Sequence, residues 1–255
     1  MQSPDDAFGL ISLDWTGEPV WLNAEIQPLS ENAAAPADIA LYGEGLLRAR
    51  VDNLFLRILA PRETEEIKKI ILKQGKIIAA QSTRLAFPDI LKVIGPQPNS
   101  RWQIKKDRTS YFHSHLISNS LYYLSHENLL YLGPECEALY TEWTKARTES
   151  KRSTKMIIIK YSDDRMASRA LINFIHSYLP EKSGPGREPQ VVEPEIALKL
   201  EDGWTGWKLS KNFLALIFEA PVLSMARPFF MTSTAAPGSE AAILLDRIAL
   251  TFFQG

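Results

Sequence analysis

The chain has 255 residues and a formal net charge of −1; 45% of its residues are hydrophobic and 23% are charged. This is ordinary globular composition, and it excludes a mainly disordered chain, which would be poorer in apolar residues. The near-zero net charge excludes a global field that attracts nucleic acid, so we expect no nucleic-acid partner. One basic run, formed by Arg147, Lys151, Arg152 and Lys155, has no interleaved aromatic residues and is interpreted as a solvated loop rather than a phosphate site.

The single cysteine, Cys136, excludes an intrachain disulfide and any Cys/His zinc motif. The N-terminal residues have neither a basic region nor an apolar core, so no signal peptide is predicted. No apolar stretch reaches the length of about 18 residues that a membrane helix requires. We therefore expect a soluble chain without a transmembrane segment.

The first predicted unit covers residues 47–75. Two apolar runs flank Asp52-Asn53, and Asx residues tolerate the left-handed conformation of tight hairpins. After Pro61, Thr64 is a suitable cap for a helix that ends near Gly75, with Ile67, Ile70, Ile71 and Gln74 on one side. A short helix is predicted at Pro88-Asp89-Ile90-Leu91.

A weaker copy of the same pattern covers residues 121–147. Leucine- and tyrosine-rich runs flank His126-Glu127-Asn128, and Pro134 follows them. Residues 138–146 carry apolar side chains at helical spacing, which predicts a helix after the hairpin.

Residues 156–161 form a continuous apolar run that predicts a strand buried on both faces. Ser162-Asp163-Asp164 is a capping sequence for the next helix, whose inner stripe runs from Ala167 to Tyr178.

The third hairpin lies in residues 207–218 around Lys211-Asn212 and is followed by Pro221, giving a unit over 207–230. It comes after a Pro- and Gly-rich stretch, residues 181–194, which we interpret as a flexible loop.

Together these elements predict an α+β fold, in which three hairpin-plus-helix units share one mostly antiparallel sheet with the helices on one face. An isolated hairpin would be marginal in water, so we expect the third hairpin to join the same sheet as the first. Residues 1–232 are thus predicted to form a single domain, and residues 233–255 form a C-terminal tail with no clear pattern.

Five segments carry a resemblance to a known family: Asp6-Ala7-Phe8-Gly9-Leu10-Ile11-Ser12, Arg57-Ile58, Pro88-Asp89-Ile90-Leu91, Tyr111-Phe112 with Asn119, and Gly203-Trp204-Thr205-Gly206-Trp207. Over most of residues 1–230 the chain resembles an uncharacterised bacterial domain family of unknown function. The resemblance implies an export signal and a further upstream segment, so the chain would be a fragment of an extracytoplasmic protein. It implies no catalytic residues, because none is assigned in the family.

His113 and His115 are the most suggestive local pair. If residues 111–117 form a strand, both imidazoles project from one face about 7 Å apart and could share a metal with a carboxylate. Glu127 or Glu135 could supply that carboxylate from the following hairpin, whereas Asp107 is poorly placed. The alternative, which we favour, is two surface histidines on a half-exposed strand.

The sequence gives weaker indications of a chemical role at several other residues. Cys136 precedes a predicted helix, but the adjacent carboxylates oppose a thiolate there. His126 belongs to a predicted turn, and His176 belongs to the polar side of a helix. Trp204 and Trp207 could stack on a sugar or peptide if exposed, although burial in the core is commoner for such side chains.

No nucleotide-binding, hydrolase or metalloprotease motif is present in the sequence. We therefore expect no cofactor. The favoured hypothesis is a non-catalytic binding or accessory protein with an unknown ligand or protein partner. The alternative is a metal-assisted hydrolase that uses His113 and His115.

Overall fold

The computed structural model describes residues 3–22, 39–83, 85–94, 102–145, 153–179 and 195–221. The chain divides into two compact units, Met1–Pro98 with Pro237–Gly255, and Asn99–Ala236. The α+β class with antiparallel strands is confirmed. The expectation that all hairpins join one sheet is wrong, because the described strands form a four-stranded and a six-stranded sheet.

The first unit contains α1 (Pro4–Ser12), β1 (Glu18–Pro19), β2 (Ile39–Gly43), β3 (Leu46–Val51), β4 (Leu54–Leu59), α2 (Glu65–Ala79) and a short 3-10 helix (Asp89–Ile94). Its strands pair antiparallel in the order β1-β2-β3-β4. The predicted first hairpin is confirmed as β3 and β4. Asp52 takes the left-handed conformation of the turn, with φ 51°.

A helix packs on each face of this sheet, and the two helices contact opposite sides of strand β3. Leu47, Ala49 and Val51 point to one face and share a core with Ile71 and Ala79 of α2. The intervening arginines point to the other face, where Arg50 donates to the carbonyl of Pro4 in α1. Because successive side chains of a strand alternate, the prediction that the helices lie on one face is wrong for this unit.

Helix α2 begins as predicted, with the Thr64 hydroxyl accepting a hydrogen bond from the Ile67 amide. It continues past Gly75 to Ala79. Gly75 is an interior packing position, because it lies against the side chains of Leu22 and Leu47, where no Cβ would fit without movement. The buried stripe is Ile71, Gly75 and Ala79, so two residues of the predicted side, Ile70 and Gln74, are exposed.

Arg50 ties α1 and the residues after α2 to the centre of the sheet. Its side chain is fully buried, and its guanidinium donates to the carbonyls of Leu85 at 3.1 Å and Ala86 at 2.8 Å. The same group lies 5.1 Å from the centre of the Phe87 ring. A planar guanidinium with five donors is well suited to collecting carbonyls from separate segments.

We expect Arg50→Met to lower the free energy of unfolding by roughly 3 kcal/mol, because the backbone carbonyls of Pro4, Leu85 and Ala86 lose a charged donor whose side chain is fully buried. Urea unfolding measures this change. Arg57→Met is the matched control, since Arg57 is exposed on the neighbouring strand and should change stability by less than about 0.5 kcal/mol. Equal effects of the two substitutions would contradict the role given to Arg50.

The second unit contains β5 (Trp102–Phe112), α3 (His115–Leu121), β6 (Glu137–Lys145), β7 (Thr154–Lys160), α4 (Asp164–Tyr178), β8 (Glu195–Lys199), β9 (Trp204–Ser210) and β10 (Phe213–Ala220). All neighbours in its sheet pair antiparallel, in the order β5-β6-β7-β10-β9-β8. Side chains from α3 and α4 pack on one core cluster with side chains of the sheet.

Three predictions for this unit are confirmed. The apolar run 156–161 coincides with β7, which lies between β6 and β10. Helix α4 is capped by the Asp163 side chain, which accepts from the Met166 amide at 2.8 Å, and its predicted inner stripe is buried from Ala167 to Ile175. The hairpin in 207–218 forms as β9 and β10, with Lys211 left-handed at φ 52°.

The predicted middle hairpin is wrong: residues 115–121 are helical and residues 122–136 are irregular. In this segment the side-chain amides of two asparagines form hydrogen bonds with backbone groups that would pair between strands in a hairpin. Asn119 binds Leu124 and Ser125, and Asn128 binds both the amide and the carbonyl of Leu132.

The predicted helix over 138–146 is also wrong, since this segment belongs to β6. Both faces of β6 are buried: Ala138 and Tyr140 on one side, Leu139 and Thr141 on the other. In a strand that is apolar on both faces, some apolar residues also fall at helical spacing. The periodicity of the sequence therefore predicted a helix where the structure has a strand.

Candidate functional site

A cleft of about 320 Å³ opens in the second unit where β6 begins and β7 ends. Its lining residues are Pro134, Glu135, Cys136, Glu137, Lys160, Tyr161, Ser162 and Asn212. The volume is at the lower end of the range for small-molecule sites.

One wall of the cleft is the tight turn that precedes β6. The amide of Cys136 donates to the Gly133 carbonyl at 3.1 Å, and the buried thiol exchanges hydrogen bonds with the same residue. The backbone of this wall is therefore fixed by short-range contacts.

The opposite wall is the tip of the β9–β10 hairpin. The Tyr161 amide donates to the Asn212 carbonyl at 2.8 Å, and the Asn212 side chain donates to the Tyr161 carbonyl at 2.7 Å. Tyr161 in turn donates its hydroxyl to the Leu130 carbonyl at 2.7 Å. These bonds connect the hairpin tip, the end of β7 and the loop before β6.

An ion pair lies between the walls. Glu137 and Lys160 are direct cross-strand partners, and Lys160 Nζ lies 2.6 Å from Glu137 Oε1. Glu137 Oε2 is buried and has no hydrogen-bond partner among the described residues. An unsatisfied buried acceptor of this kind is costly, by about 1–3 kcal/mol or more for a charged group.

The charges of the lining favour a cation. Glu135 and Glu137 contribute two negative charges and Lys160 one positive charge, which leaves a formal charge of −1. The remaining polar groups, on Ser162 and Asn212, are neutral.

The environment of the Cys136 thiol does not favour a nucleophilic role. Burial, together with the neighbouring Glu137 carboxylate, raises the pKa of its thiol above the ordinary value, and the backbone hydrogen bond from Gly133 opposes this only partly. A thiolate is the reactive form of cysteine, so the raised pKa keeps the group inert near neutral pH.

A second polar cluster lies at the other end of β6, around Glu142. Its carboxylate accepts from Ser153 at 2.7 Å and from Tyr140 at 3.1 Å, with Lys105 at 3.5 Å. Burial alone would raise the pKa of Glu142, but these hydrogen bonds and the charges of Lys105 and Arg108 hold it below its ordinary value.

Glu219 belongs to the same end of the sheet. It occupies a β-bulge of β10 in a left-handed conformation, with φ 56°, and forms an ion pair with Lys155. Gly203, with φ 148°, lies so close to the Glu219 backbone that an added Cβ would meet it at 2.8 Å. Bulges of this kind redirect side chains.

An aromatic cluster lies near this end of the sheet, around Phe218, the cross-strand partner of Lys155. The Phe218 ring lies 4.6 Å from that of Tyr122 and 5.8 Å from that of Tyr178. Burial raises the pKa of both phenols, so they stay protonated and act as hydrogen-bonding groups. The arrangement joins α3 and α4 to the sheet.

The structure does not provide the strand on which the metal hypothesis depended. Strand β5 ends at Phe112, and His115 is the first residue of α3. His113 Nδ1 is hydrogen-bonded to the Cys136 carbonyl, so this nitrogen carries the proton. Within the described ranges, no group of three or more His, Cys, Asp or Glu residues is arranged to hold a metal.

The other predicted site residues are dispersed. Trp207 is buried in the core cluster, whereas Trp204 is half-buried with Lys199 Nζ 5.8 Å from the centre of its ring; both belong to β9 itself. Stacking of a ligand on Trp204 stays a prediction. His126 and His176 are exposed. Arg147, Lys151 and Arg152 of the basic run lie outside the described residues.

A comparison with protein-family models, with curated proteins and with solved structures finds no match. The resemblance to the uncharacterised bacterial family therefore stays a prediction. No helix among the described residues is long and apolar enough to cross a membrane.

Sequence reasoning missed Glu137, Lys160 and Asn212 as members of one site. The first two meet only through the register of β6 and β7, and β6 was expected to be a helix. Asn212 was noticed as a turn residue, but its bond to Tyr161 joins positions that are 51 residues apart. The one local signal was an asparagine at the tip of a strong hairpin.

We expect the Cys136 thiol of the native protein to react with iodoacetamide at least tenfold more slowly than that of the urea-unfolded chain at pH 8, because burial and the raised pKa act together. Mass spectrometry of timed samples gives both rates. A native rate equal to the unfolded rate would contradict the assigned environment.

We expect Glu142→Gln to lower the free energy of unfolding by about 1–2 kcal/mol at neutral pH. A carboxylate whose pKa is lowered by folding stabilises the fold above its unfolded pKa, 4.5, and this contribution disappears as the pH falls through the folded value. The difference between variant and wild type should therefore shrink below pH 4.5 in urea unfolding. A difference that is constant with pH would contradict the assignment.

Proposed function

We propose that this chain is a non-catalytic binding protein whose second unit holds the cationic or N–H donor end of a small ligand in the cleft between Glu137 and Asn212. The observation that carries the proposal is the buried, unsatisfied oxygen of Glu137 beside a cavity with a formal charge of −1. A small rotation of the carboxylate would bring this oxygen to a ligand, and an ammonium group would then remove the cost of the missing hydrogen bond.

The environments of the titratable groups support binding rather than catalysis. General acid–base catalysis needs groups whose pKa lies near the working pH. Here the shifted carboxylates, such as Glu142 and Asp52, have lowered pKa values, and the shifted phenols, such as Tyr161, have raised ones. Each of these shifts moves the pKa away from neutral pH, whereas burial lowers the pKa of Lys106 toward it.

The cleft is also suited to recognition because its walls are held independently of any ligand. Backbone hydrogen bonds fix the Cys136 turn, and the Asn212–Tyr161 pair fixes the hairpin tip. A site formed before binding loses less entropy when the ligand arrives. The extracytoplasmic location rests only on the family resemblance and stays a prediction.

We expect propylammonium to bind the full chain with a dissociation constant on the order of a millimolar, a value typical of a four-atom probe. Propionamide should bind more weakly, and propionate should not bind, because the lining is negative. Titration calorimetry or ligand-observed NMR measures the three affinities. Propionate binding as well as propylammonium would refute the proposal.

Substitutions at the two ends of the Glu137–Lys160 ion pair should change the affinity for propylammonium in opposite directions. Glu137→Gln should weaken propylammonium binding at least tenfold, whereas Lys160→Met should strengthen it, since the competing internal cation is removed. Glu127→Gln is the matched control, because Glu127 is an exposed carboxylate of the same unit that does not line the cleft. Thermal melting of each variant confirms that it is folded.

A further inference from the structure

Helix α2 buries Ile71, Gly75 and Ala79 against the sheet but leaves two other isoleucines exposed. Ile70 is 58% exposed and Ile77 is 50% exposed. These two isoleucines are seven residues, or about two turns, apart and so lie on the same side of the helix. An ordinary surface helix carries polar side chains at such positions.

Three exposed lysines lie beside these isoleucines. Lys69, Lys73 and Lys76 follow each other at spacings of four and three, which places them in one row along the helix. With 100° of rotation per residue, the row and the two isoleucines occupy a sector of about 120°. Glu66 is the acidic residue in this sector, and it lies in the first turn, at the end away from Ile77.

We propose that this face of α2, formed by Lys69, Ile70, Lys73, Lys76 and Ile77, is an interaction surface for an anionic lipid layer. Large aliphatic side chains beside a row of lysines are the combination that lets a helix lie in the headgroup region. The aliphatic groups enter the apolar boundary, and the flexible lysine side chains reach the phosphates. The helix lies along the surface and does not cross it.

The composition of the face favours lipid over a protein partner. Protein interfaces depend on aromatic and arginine side chains that fill pockets, and this face has neither type. Lysine is a compact, mobile charge that suits a fluid layer of phosphates, whereas arginine suits fixed bidentate partners. An acidic protein would be attracted by the same lysines but would gain little from the separated isoleucines.

The test is sedimentation of the full chain with vesicles made of one part phosphatidylserine and two parts phosphatidylcholine, compared with phosphatidylcholine alone. We expect binding to the mixed vesicles that falls with added salt. Lys73→Glu should lower the partition coefficient at least fivefold, and Ile70→Ser with Ile77→Ser should lower it by a similar factor.

Two matched controls lie in the other unit. Lys211→Glu makes the same charge change at an exposed lysine of the β9–β10 turn, and Leu116→Ser removes an aliphatic side chain that is 69% exposed. Neither should alter sedimentation. Equal losses with the controls, or binding that does not depend on phosphatidylserine, would overturn the proposal. Lysine-dependent binding to polyglutamate without vesicle binding would also overturn it, since it would indicate an acidic protein partner.

Discussion

Asn212 binds Tyr161 through its backbone carbonyl and its side-chain amide at once, at 2.8 Å and 2.7 Å, and the cleft depends on this pair of contacts. The tip of a β-hairpin is ordinarily among the most mobile parts of a sheet. Here it is fixed to the end of β7, and the hydroxyl of Tyr161 extends the connection to the Leu130 carbonyl. Three segments far apart in sequence thus form one rigid rim.

The electrostatic character of the cleft follows from that rim and from the register of the sheet. With β7 fixed between β6 and β10, the last residue of β7, Lys160, lies opposite the first residue of β6, Glu137. The pairing satisfies one oxygen of the carboxylate and leaves the other buried and unmatched. We propose that this unmatched oxygen is the source of both the binding energy and the selectivity for a cation. The polar cluster around Glu142 plays a different part, because its carboxylate is fully supplied with donors and stabilises the other end of the same strand.

Elements with one strong local signal could be predicted from the sequence. Helix α4 had both a cap at Asp163 and a clear apolar stripe, and the two hairpins around Asp52 and Lys211 had apolar runs on both sides of a turn. Strand β6 could not be predicted, because burial on both faces removes the alternation that distinguishes a strand from a helix. The loop after α3 was missed because side chains such as Asn128 replace the backbone pairing of a hairpin.

The site could not be predicted either, since the Glu137–Lys160 contact can be inferred only once the register of β6 and β7 is known. The division into two sheets could not be predicted for a similar reason. It depends on which strands lie beside each hairpin, and hairpins with similar sequences do not show this.

The central claim is that the Glu137 carboxylate receives the ligand, and carbon-13 NMR of the glutamate side-chain carboxyl groups tests it most directly. During a titration with propylammonium, the Glu137 signal should move along the same saturation curve as the bound fraction, while the signal of exposed Glu127 stays constant. A Glu137 signal that does not move while another carboxyl, such as that of Glu219, follows the curve would contradict the account.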